Sequence, residues 1–88
     1  MLLETPTIHL NGSSADDLMQ RYRDALEAIQ DAEEALAATA PNGRDYYVNG
    51  PDSFARAARQ HAARVEALRS VRLELTDVTS AIMEQVGL

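Results

Sequence analysis

The chain contains neither cysteine nor lysine, and only four of its residues are aromatic, three tyrosines and one phenylalanine. Without cysteine there can be no disulfide and no thiolate metal site, which fits a reducing compartment. Nor does any apolar run approach the roughly 20 residues that a membrane-spanning helix requires. The opening Met1-Leu2-Leu3-Glu4-Thr5-Pro6 has no basic stretch followed by a long apolar core, so it does not read as a signal peptide. The expectation from these absences is a soluble, intracellular protein with no membrane partner.

The eight basic residues are all arginine, and the net charge is −6. An acidic chain is poorly suited to a nucleic-acid polymer, whose binding depends on neutralising phosphates. The charge is unevenly spread, however. Residues 16–34 carry seven acids and two arginines, and residues 54–72 carry five arginines and one acid. The exclusive use of arginine fits the codon bias of a GC-rich genome. It equally fits a need for planar guanidinium groups that grip carboxylates or phosphates.

Eighty-eight residues make one domain. Residues 1–12 read as a short extended segment, in which Thr7-Ile8-His9-Leu10 alternates as a very short strand would and Asn11-Gly12 signals a turn. Ser13-Ser14 then offers an N-cap, with Asp16 and Asp17 in the first turn, where the helix dipole favours negative charge. The first helix is expected over 15–40, its stripe running Leu18, Tyr22, Ala25, Ile29, Ala32, Leu36 and Thr39. Pro41 and the glycines after it end that helix, and 41–50 forms the connection. Pro51 suits the first turn of a second helix over 51–86. Its stripe is Phe54, Ala58, His61, Val65, Leu68, Val71, Leu75, Val78 and Ile82. If the chain folds back tightly, Leu36 meets Phe54, Leu18 meets Val71, and the turns from Asp77 onward overhang. The fold class is therefore all-α, an antiparallel hairpin of two long helices. Two helices shield each other on one side only, so the breadth of the apolar stripe predicts a homo-oligomeric, coiled-coil-like bundle, a dimer or larger.

No combination of nucleophile, acid-base group and metal ligands emerges. The serines sit at turns or mid-helix, and His9 and His61 lack ligand spacing. The chain is expected to be no enzyme and to need neither metal nor cofactor. What stands out is the polar connection, with Tyr46-Tyr47 behind Arg44-Asp45. Connections between antiparallel helices usually take about 2–8 residues, and long surface loops often carry recognition. Neighbouring residues of an extended loop point opposite ways, so one tyrosine should close the bundle over Phe54 and Leu36 while the other faces outward. An outward ring beside Arg44 would make a stacking and charge platform. Arg56, Arg59 and Arg64 have two available roles. They either pair with Glu27, Asp31, Glu33 and Glu34 across the hairpin, or line a cleft beside the loop that suits a small, multiply charged anion. His61 is either a histidine hydrogen-bonded within the bundle or part of that pocket.

The stretch Ile8-His9-Leu10-Asn11-Gly12-Ser13-Ser14, followed by Asn42-Gly43-Arg44-Asp45-Tyr46-Tyr47 before the second helix, resembles a family of small uncharacterised phage and prophage proteins. The resemblance implies a viral accessory protein in the cytoplasm of a bacterial host, and it transfers no catalytic residues. In size, class and aromatic-arginine loop the chain is also similar to phage "sponges" that sequester the nucleotide signals of CBASS and Thoeris immunity. The functional expectation is such a non-catalytic sponge for a small anionic nucleotide-type ligand, with Arg44, Asp45, Tyr46, Tyr47, Arg56, Arg59 and His61 at the site. His9 and Asn11 would join it if the N-terminal segment reaches a neighbouring subunit's loop. The alternatives are a protein-protein interaction module, as a virion accessory or host-protein inhibitor, and a plain structural bundle.

Overall fold

The computed structural model describes residues 2–87 and consists of two long helices packed against each other, with no strand among those residues. Helix α1 spans Ala15–Ala37 and helix α2 spans Ser53–Gln85, with two single-turn 3-10 helices, Gly43–Asp45 and Tyr47–Asn49, between them. The hairpin expected from the sequence is present. Its long dimension is 61 Å against 25 and 20 Å across.

Helix α1 starts as its sequence dictates. The Ser14 hydroxyl oxygen accepts from the Asp17 amide at 3.1 Å, and Asp16 and Asp17 occupy the first turn. Its end comes earlier than the expected residue 40. The amides of Ala38, Thr39 and Ala40 donate to carbonyls three residues back, and the Thr39 hydroxyl donates to the Leu36 carbonyl at 2.7 Å. This tightening precedes Pro41, whose ring disfavours helical geometry in the residue before it. Helix α2 likewise starts later than the expected residue 51. Pro51 and Asp52 form a turn closed by the Ser53 amide on the Gly50 carbonyl, and Ser53 is the first helical residue.

The helices meet in a different register from the one expected. Met19 packs with Val78 and Ile82, and Leu18 lines a groove with Leu75, so α2 is displaced by roughly two turns relative to the anticipated pairing. The cause lies in the connection. Instead of turning tightly, the connection leaves the first turns of α2 unpaired with α1, and its second 3-10 turn packs on α2. The turns beyond Asp77 therefore do not overhang. They hold the core, with Ile82 wholly buried, Val78 and Met19 nearly so, and Ile8, Ala15, Leu18, Tyr22 and Met83 packed around them. Buried Thr79 satisfies its hydroxyl by donating to the Thr76 carbonyl at 2.7 Å.

The N-terminal residues cover this end. Leu2, Leu3 and Glu4 lie with Glu74 and Asp77, while Ile8 lies at Gln85, so the segment follows the last three turns of α2 in the same direction. No strand forms at residues 7–10. Instead the Gln85 side-chain amide does what a neighbouring strand would do. Its oxygen accepts from the Ile8 amide at 2.8 Å, and its nitrogen donates to the Pro6 carbonyl at 2.7 Å. The predicted turn at Asn11-Gly12 is present, closed by the Gly12 amide on the His9 carbonyl. A Cβ on Gly12 would stand 2.8 Å from the His9 ring, so glycine is what lets that ring fold over the turn.

The shifted register also rearranges the charges. One ion pair joins the helices among the described residues, between Arg72 Nε and Glu33 Oε1 at 2.8 Å, with both side chains mostly covered. The other, Arg69 with Glu66 at 3.7 Å, is an exposed pair within α2 and contributes little. The expected bridges from Arg56, Arg59 and Arg64 to the acids of α1 do not form, because those arginines lie on turns that α1 does not flank as anticipated.

Candidate functional site

The loop that joins the helices is an ordered structure built around Asn42. Its side-chain oxygen accepts from the Arg44 amide at 3.0 Å, and its side-chain nitrogen donates to Asp45 Oδ2 at 3.0 Å. This is the local motif by which asparagine starts a turn. Asp45 is thus occupied in holding the loop, which makes it a support for the surface rather than a free group on it. The Tyr46 amide donates to Gly43, Asn49 to Tyr46 and Gly50 to Tyr47, so the two 3-10 turns follow each other directly.

The paired tyrosines divide as expected. Tyr46 is half-buried with its ring tilted 55° against Phe54 at a centroid distance of 6.4 Å. Tyr47 is 75% exposed and its neighbour Val48 is 73% exposed. Phe54 itself remains partly open. Gly50 then adopts φ 109° and ψ 167°, a region almost reserved for glycine, and this redirects the chain into Pro51 and α2. The loop end therefore presents an aromatic and aliphatic knob, with Arg44, Arg56 and Arg59 exposed and in no ion pair among the described residues.

The other candidates do not gather there. His61 is half-buried along α2. His9 and Asn11 stand in the turn at the far end of the molecule, where the N-terminal segment is fastened to Gln85. The helical rise alone puts about 40 Å between Arg56 and Gln85. In a single chain four of the nine residues thus lie in the loop, two on the first turns of α2, one histidine farther along that helix and one pair at the opposite end. Two residues not anticipated as site members belong to the loop surface, Val48 and Phe54. Val48 carried no signal, being a lone valine in a polar loop.

Two grooves stand out on the surface, and neither is lined by any of the nine candidates. One, of about 280 Å³, is lined by Leu18, Arg21, Tyr22, Ala25 and Leu75. The other, of about 480 Å³, is lined by Leu2, Leu3, Glu4, Glu74 and Asp77. Among the described residues no three histidine, cysteine or carboxylate side chains are grouped to hold a metal ion, and no helix is long and apolar enough to cross a membrane. No protein-family model, curated protein or solved structure matches the chain.

Proposed function

We propose that this protein is a non-catalytic docking module that works as an assembly of more than one copy and binds an acidic partner protein through its loop end. The observation that carries this reading is the outward presentation of Tyr47 and Val48 on a hydrogen-bonded loop that also carries exposed Arg44, with Arg56 and Arg59 exposed on the first turns of the helix that follows. An apolar and aromatic centre with an arginine rim is the composition of binding hot spots, where tyrosine and arginine are enriched. A convex knob fits a depression on a protein surface better than it fits a small molecule. The bacterial host cytoplasm is the setting in which we place it.

The test is affinity capture from bacterial lysate, repeated with the purified protein that is caught. Tyr47→Ala and the pair Arg56→Glu/Arg59→Glu are each expected to abolish retention while helicity is unchanged. Retention indifferent to both substitutions refutes the loop end as the docking surface.

A second reading, sequestration of a small nucleotide-type anion, is favoured by one feature. The Asn42 bond fixes the backbone at Arg44, whose guanidinium is in no ion pair among the described residues, three positions before the exposed Tyr47, and a guanidinium with an aromatic ring suits a phosphate and its base. Calorimetric titration with cyclic dinucleotides, cyclic trinucleotides and ADP-ribose derivatives separates the two. Heat that disappears with Arg44→Ala and Tyr47→Ala supports sequestration, and no heat from any of these probes removes it.

A further inference from the structure

The two open sides of the hairpin differ in character. On one, Arg23, Glu27, Gln30 and Glu34 follow each other at helical spacing on α1, and Arg69, Arg72 and Thr76 do so on α2. That side is charged. On the other lies the groove formed by Leu18, Tyr22, Ala25 and Leu75, rimmed by Arg21. Helical spacing extends this apolar strip. One turn along from Ala25 come Ala28 and Ile29, then Ala32 and Leu36, while one turn before Leu75 comes Val71, then Ala67 and Leu68. Val71 is 45% exposed although it adjoins the groove. The N-terminal segment covers the flank of α2 around Glu74, Asp77 and Gln85 and leaves the strip beyond it open.

The area of the molecule argues for what covers this strip. A folded monomer of this mass exposes about 5,100 Å², whereas this chain exposes 6657 Å². Its radius of gyration is 18.7 Å, against about 12 Å for a compact domain of this length. The excess, about 1,500 Å², is larger than the roughly 800 Å² that each partner buries in a standard protein interface. Three mostly buried apolar side chains at one end are a small core for 88 residues. The strip itself is short of acids and rich in alanine, so helices can approach closely across it.

We propose that a second copy of this chain packs on that strip, apolar face to apolar face about a two-fold axis, giving a four-helix bundle. The groove at Leu18, Tyr22, Ala25 and Leu75 lies within the buried interface, and the charged side of Arg23, Glu27, Glu34 and Arg69 stays in water. An isologous contact of this kind closes on itself and limits the assembly to a dimer. The inference deepens the assembly part of the proposed function and is independent of what the loop end binds.

Sedimentation equilibrium at micromolar concentration tests it on the whole chain. The wild type is expected as a dimer. Ala25→Glu and Val71→Glu each place a carboxylate in the interface and should weaken the dimer by about 100-fold or more, with helicity retained. Val65→Glu, on the charged side of α2, should leave the dimer intact, as should Tyr47→Ala at the loop. Where Ala25→Glu loses helicity, the exposed position in Ala32→Glu carries the same test. A wild-type chain that sediments as a monomer at high micromolar concentration overturns the proposal. So does a dimer that withstands the face substitutions and yields to Val65→Glu.

Discussion

Replacing Gln85 with methionine isolates the contact that joins the beginning of the chain to its last helix. Methionine keeps the length of the side chain and a comparable helix propensity, so α2 and its packing are retained while both polar atoms of the amide are removed. The two hydrogen bonds to the N-terminal segment are lost, from the Ile8 amide at 2.8 Å and to the Pro6 carbonyl at 2.7 Å, along with a long one within α2 to the Ala81 carbonyl at 3.4 Å that does not bear on the segment. A protein hydrogen bond contributes about 0.5–1.5 kcal/mol net, and the exposure of this pair places each toward the lower end. The sum, about 1–2 kcal/mol, corresponds to a roughly 5- to 30-fold rise in the opening of the N-terminal segment. Amide hydrogen exchange read by NMR measures this directly. The Ile8 amide is expected to exchange faster by that factor, with amides in the middle of α1 changing much less, because opening of a peripheral segment is local. Ile8 packs against the core cluster of Met19, Val78 and Ile82, so a smaller drop in melting temperature should accompany it. An Ile8 amide that exchanges at the same rate in Gln85→Met would show that the amide does not hold the segment, and the account of the covered end would fall with it.

Ile82→Ala removes a wholly buried core side chain and should destabilise the fold by about 2–5 kcal/mol, measured by urea unfolding. A loss below about 1 kcal/mol would mean that the core is not centred there. Gly50→Ala forces a Cβ into backbone geometry that only glycine tolerates, at a cost of about 1–3 kcal/mol. Nothing lies within 4 Å of that Cβ, so the penalty should come from strain alone, and Gly43→Ala, equally uncrowded and without a positive φ, should be nearly neutral by the same melts.

The two helices were legible because their signals are local. Ser14 with two aspartates behind it marks a start, and Pro41 marks a stop. The α1 stripe of Leu18, Tyr22, Ala25, Ile29 and Leu36 does lie partly covered, although Ala32 and Thr39 are exposed. On α2 the stripe was off by one position in its middle. Arg72 sits in the seam and Val71 outside it, because a guanidinium with an ion-pair partner can bury its aliphatic stem where the pattern favours valine. The register was not legible, since a loop's length does not say whether it turns sharply or lies along the following helix. Gln85 gave no signal either. A glutamine on a helix surface has no feature that names a partner 77 residues away. At the loop, the division between Tyr46 and Tyr47 agrees with the expectation, although the pair sits in two 3-10 turns and not in the extended backbone from which it was argued, and the role of Asp45 depended on its bond to Asn42. The gathering of the arginines with the N-terminal His9 and Asn11 does not occur within one chain.

The fastening of Pro6 and Ile8 to Gln85 has a consequence for biosynthesis. During translation Pro6 and Ile8 have nothing to close over until α2 has been made almost to Gln85, because Val78, Ile82 and Gln85 are synthesised some 70 residues or more after them. Half-made chains must therefore carry an uncovered Ile8 and Met19 past the ribosome, and native structure at that end can form only once the final turns of α2 have left the exit tunnel.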